Sequence, residues 1–95
     1  MIIVHDIFMA KPGNASKLAK QFKEALAGRP ELVNVMTDVT GDFNKVIMVT
    51  QYESLAVYEK SWDSMTPEEM KKMQEAMKGY VDMYLTGSRE IYKFW

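Results

Sequence analysis

Met1 to Ala10 carries large apolar side chains on both of the faces that a strand would present: Met1, Ile3, Ile7 and Met9 fall on one side, Ile2, Val4 and Phe8 on the other. Successive side chains of a strand point to opposite faces, so this run predicts a central strand covered on two sides. A single layer of helices covers only one of them. Leaving several large side chains of the second face in water would forgo about 25 cal/mol per Å2, and such patches mark association surfaces. The opening segment therefore demands a second apolar cover, which a C2 homodimer with facing sheets supplies most economically.

The rest of the chain reads as alternating elements. Lys11-Pro12-Gly13-Asn14 breaks the first strand, with Asn14 placed to cap a helix. Ala15, Leu18, Ala19, Phe22, Ala25 and Leu26 have helical spacing, and Gly28 and Pro30 stop the helix near Ala27. Leu32 to Val39 and Lys45 to Tyr52 are β-branched, apolar runs joined by Thr40-Gly41-Asp42-Phe43-Asn44, which predicts an antiparallel hairpin. Ser54 can cap a second helix carrying Leu55, Tyr58 and Trp62 and ending near Met65. Thr66-Pro67-Glu68-Glu69 is a capping box that starts a third helix, with a stripe of Met70, Met73, Met77, Tyr80, Val81 and Tyr84 and a candidate early stop at Gly79. After Thr86-Gly87-Ser88, the segment Arg89 to Trp95 reads as the last strand. The order βαββαβ predicts a split βαβ fold, α+β, with helices on one face of a four-stranded antiparallel sheet and one domain spanning residues 1–95.

Composition narrows the function classes. Twelve basic and thirteen acidic residues give a net charge of −1, so no strong field favours nucleic acid or an anionic lipid surface. No uncharged apolar stretch approaches the ~20 residues that span a bilayer, and the start lacks a basic leader, so a cytoplasmic protein without a membrane partner is expected. With no cysteine and one histidine, neither a disulfide nor a clustered metal site is expected. The five glycines are scattered, so no phosphate-cradling loop forms, and nothing in the chain calls for a cofactor.

Three segments carry a family resemblance: Phe8-Met9-Ala10-Lys11-Pro12-Gly13-Asn14, Gly41-Asp42-Phe43-Asn44-Lys45-Val46 and Tyr52-Glu53-Ser54-Leu55-Ala56. Their order and spacing resemble the dimeric α/β barrel superfamily, particularly its NIPSNAP and antibiotic-biosynthesis-monooxygenase-like branches. The resemblance implies a ferredoxin-like fold, a homodimer and a pocket between sheet and helices. It does not imply one chemistry, because members include cofactor-independent monooxygenases and haem-degrading enzymes. The haem-degrading branch uses an axial histidine on the helix before the last strand, whereas the histidine here is His5.

His5 is the side chain whose ordinary pKa suits proton transfer near neutrality, which makes it the candidate catalytic base; a hydrogen-bonded histidine in the core or dimer seam is the simpler alternative. Asp6 is adjacent but points to the opposite face, so the two do not form a dyad. Asn34 and Arg89 are polar groups inside strands that need partners if buried, from a ligand or from each other and Asp6. Tyr52 and Trp62, with Tyr58, Tyr80 and Tyr84, have the spacing to line a pocket for a planar ligand or simply to pack helix on sheet. The candidate ligand-binding residues are thus Asn34, Tyr52, Trp62 and Arg89. Met70, Met73 and Met77 share a helix face, and packing explains them better than a soft metal. Two functions remain open. One is a homodimer that binds a small apolar or aromatic molecule, with cofactor-independent monooxygenation as its chemistry by resemblance. The other is a non-enzymatic stress-response or interaction module whose core is filled by its own side chains.

Overall fold

The computed structural model describes Met1–Trp95. Its elements are β1 (Ile2–Ala10), α1 (Ala15–Ala25), β2 (Leu32–Thr37), β3 (Lys45–Tyr52), α2 (Leu55–Asp63), α3 (Pro67–Ala76), a 3-10 turn at Tyr80–Asp82 and β4 (Tyr84–Lys93). The sheet order is β2-β3-β1-β4, with every neighbouring pair antiparallel. This is the expected ferredoxin-like α+β architecture, and it puts the two-faced strand β1 in the interior of the sheet.

On β1, Val4, Asp6, Phe8 and Ala10 face the helices; Val4, Asp6 and Ala10 are buried there. The alternation of a strand then puts Ile3, His5, Ile7 and Met9 on the outer face. Register carries that division across the sheet. Ile7 lies opposite Ile47, and His5 lies between Val49 and Glu90. The buried centre consists of Ala10, Leu18, Phe22 and Val46, so α1 is clamped to the middle of the sheet by two of its own residues. Nine of the 95 residues are buried in the single chain, a thin core for a sheet with three helices on it.

Local chemistry sets most boundaries. Gly28 and Gly79 both take φ of +80°, the left-handed region where glycine avoids a Cβ clash, and each stands just past a helix. Ser54 and Thr66 accept N–H bonds from Val57 and Glu69 and so cap α2 and α3. Asn14 stands at the cap position of α1 but makes no side-chain cap bond, because its backbone is already helical (φ −106°, ψ −5°). The loop after β2 starts earlier than expected: Asp38 accepts the Lys45 N–H through Oδ1, which closes the hairpin, and Val39 is left wholly exposed.

The largest correction concerns β4, which begins at Tyr84, so that Thr86-Gly87-Ser88 lies within the strand and not before it. Gly87 stands opposite Phe8, and a Cβ there would meet the Phe8 ring at 3.5 Å. The glycine marks a close approach of side chain to backbone, one of the reasons a strand carries this residue. The stripe expected along α3 is also divided. Met73, Met77 and Tyr80 turn inward, but Met70, in the first turns of α3, is exposed, and Val81 is exposed in the 3-10 turn that follows the end of the helix at Ala76.

Candidate functional site

The helices do not close fully on the sheet. Between them lies a cavity of about 440 Å3 with twenty lining residues, thirteen of them hydrophobic. β1 contributes Asp6 and Phe8, α1 Phe22 and Ala25, β3 Met48, Thr50 and Tyr52, α2 Tyr58, Ser61 and Trp62, α3 Met73, and β4 Arg89. Side chains of different reach meet here from both layers, and the unbranched methionines cover ground that rigid side chains would leave open.

The polar end of the cavity is built by strand register. Asp6 and Arg89 are direct partners across β1 and β4, and Nε of Arg89 donates to Oδ1 of Asp6. The Asp6 side chain is 9% exposed and the Arg89 side chain 47%, so the carboxylate is a buried anchor and the guanidinium reaches outward from it. Arg89 also lies 5.8 Å from the Tyr58 ring centroid and 5.7 Å from that of Trp62, within the range of cation–π attraction. The hydrogen bond to Asp6 raises the Arg89 pKa, so the group is a permanent cation. Tyr58 packs edge-on against Tyr52 at 4.9 Å and Trp62 at 6.1 Å. Three aromatic rings thus form one wall beside a fixed positive charge.

The Tyr58 hydroxyl is buried and has no hydrogen-bond partner. Burial pushes its pKa above the usual 10.0, with the Arg89 cation partly opposing the shift. A phenol that holds its proton more tightly when folded contributes stability in full below that ordinary value, and the contribution is lost as pH rises through the raised native one. Tyr58→Phe should therefore stabilise the fold near neutral pH by about 1 kcal/mol, since an unpaired buried hydroxyl costs about 1–3 kcal/mol and the ring is retained. It should also flatten the alkaline fall in stability. Urea unfolding of both proteins from neutral pH upward checks both effects; destabilisation by the substitution would show that the hydroxyl has a partner.

Of the residues singled out from the sequence, Tyr52, Trp62 and Arg89 are brought together at the cavity. His5 and Asn34 are not, because both stand on the outer face of the sheet. His5 packs against Tyr92 with ring centroids 5.4 Å apart, and Asn34 turns its Oδ1 to the neighbouring Val35 N–H at 2.8 Å. Thr50, Ser61 and Met48 were not visible as site residues, and Asp6 was visible only as one possible partner for Asn34 or Arg89. The signal for Asp6 was its parity with Val4 and Phe8; the signal for Ser61 was its position three residues after Tyr58 on the same helix.

No family model and no characterised relative matches the sequence. Solved structures do. A NIPSNAP domain protein from Burkholderia xenovorans superposes with a TM-score of 0.80 at 12% identity, over 100% of this chain and 95% of that one. The chain shares the ferredoxin-like fold of that protein. A second NIPSNAP family protein, from Agrobacterium tumefaciens, gives a TM-score of 0.74 at 15% identity over 97% of this chain and 90% of that one. A candidate antibiotic biosynthesis monooxygenase from Chloroflexus aurantiacus gives 0.68 at 15% identity over 96% and 89%. The shared ferredoxin-like fold therefore extends over essentially the whole chain, and at these identities the side chains of the cavity are this protein's own.

Proposed function

We propose that the protein is a homodimer in which each chain holds a small, planar, largely apolar organic molecule between its helices and its sheet. The observation that carries this reading is the cavity of about 440 Å3, a size typical of small-molecule sites and large for a fold with so thin a core. It speaks against a core filled by its own methionine and aromatic side chains. Likeness to candidate monooxygenases supports extending the proposal to cofactor-independent oxygenation of a phenol or enol. In that case His5 has no direct part, since its imidazole lies across the sheet from the cavity.

Trp62 lines the cavity while Trp95 is fully exposed, so a Trp95→Phe variant reports on the cavity alone. Titration with the bicyclic hydrocarbon indane should change Trp62 fluorescence saturably. Ala25→Phe, which places a ring in the cavity from the end of α1, should abolish the change. A linear, unsaturable response in the open variant would overturn the binding proposal.

A further inference from the structure

Resting on that reading, we infer that the polar end of the cavity selects a planar ligand carrying an uncharged hydrogen-bond acceptor, a ring-attached carbonyl oxygen, and that the Arg89 guanidinium is the group that receives it. Arg89 makes one protein hydrogen bond, through Nε to Asp6. A guanidinium has five N–H donors in a fixed fork, so the four on Nη1 and Nη2 have no protein partner and are open to a ligand acceptor. Asp6 is 6% exposed, which fixes the anchored edge of the fork and makes Asp6 a positioning residue for the other edge. The rings of Tyr58 and Trp62 near the same guanidinium supply faces against which a flat ligand can lie.

Charge decides the kind of head group. The charged residues lining the cavity are Asp6, Glu31, Arg29 and Arg89, two of each sign. A ligand carboxylate would leave an excess negative charge beside the buried Asp6, and an ammonium would set a second cation against the Arg89 guanidinium, which already neutralises Asp6. A neutral acceptor meets neither penalty. It takes a hydrogen bond from a charged donor, the stronger class of such bonds.

Calorimetric titration of the intact protein with indane, 1-indanone and indane-1-carboxylate tests the inference, because the three share a ring system and differ in the head group. 1-Indanone should bind about tenfold or more tighter than indane, and the carboxylate no tighter than indane. The double variant Asp6→Asn/Arg89→Gln, which removes the charged pair without leaving either partner alone, should lose the preference for 1-indanone over indane, read as the ratio of the two affinities in the same variant. Arg89→Lys, which keeps the charge but not the fork, should lose most of it. Equal affinity for indane and 1-indanone, or a tighter carboxylate, would overturn the inference while leaving the cavity proposal standing. Failure of all three to bind would overturn both.

Discussion

Phe22→Ala should lower the unfolding free energy by about 3–5 kcal/mol, the usual range for removing a buried phenyl ring. Phe22 is 1% exposed and sits in the four-residue centre with Ala10, Leu18 and Val46. Its ring lies 4.8 Å from that of Phe8 and 6.2 Å from that of Tyr80, so one substitution removes one of the two buried side chains that hold α1 to the sheet, together with its contact to the turn after α3. Phe22 also borders the cavity. The space left by the ring would merge with an existing void, whose walls are held apart by the sheet and three helices, and limited collapse pushes the cost toward the top of the range. Domains of this size are stable by about 5–15 kcal/mol, so the variant should lose about a fifth or more of its total stability. Urea unfolding at fixed protein concentration measures this as a shift in midpoint with little change in slope. Phe43→Ala, at a loop position 82% exposed, should stay within about 0.5 kcal/mol of the parent. A cost below about 2 kcal/mol at Phe22 would show that the ring does not pack against Phe8 and Tyr80 in this way.

How much of this could be read from the sequence depends on the range of the interaction involved. The glycine stop at Gly28, the cap at Ser54 and the Thr66–Glu69 box are decided within four residues of chain, and they lie where their chemistry predicts. The central place of β1 was legible for a similar reason, because apolar side chains on both faces leave few alternatives. The start of β4 was not. Thr86-Gly87-Ser88 has the composition of a turn, and its strand role comes from Phe8, which lies opposite Gly87 in the folded sheet. The Asp6–Arg89 pair spans 83 positions in sequence, so the sequence offered Asp6, Asn34 and Arg89 as possible partners and register selected the pair. The assignment of His5 to the outer face was the hardest to foresee. Both faces of β1 are apolar, and nothing in the strand itself says which of them the helices will take.

That second face leads to the prediction of largest effect: Ile47→Asp should turn a dimer into a monomer. The parent protein should sediment at twice the 11.0 kDa of one chain at micromolar concentration. On the outer face Ile7 and Ile47 are direct cross-strand partners, with Ile3, Met9 and Met36 around them. Met36 is 41% exposed and neighbouring Val33 48%, so a broad apolar area has no cover within the chain. A facing copy that removed about 800 Å2 per chain from water would form an interface of ordinary size. Aspartate at its centre leaves a desolvated charge without a partner, which costs about 3–5 kcal/mol. Two-fold symmetry makes the change occur twice in every dimer, so the penalty is about 6–10 kcal/mol, or roughly four to seven decades in the dissociation constant. Val57→Asp makes the same chemical change on the outside of α2, at a residue 42% exposed, and should leave the dimer intact. Sedimentation of the three proteins separates the possibilities. If Ile47→Asp is dimeric like its parent, the sheets do not face each other; if the parent is a well-folded monomer, the outer face of β1 tolerates water and the dimeric part of the proposed function is wrong.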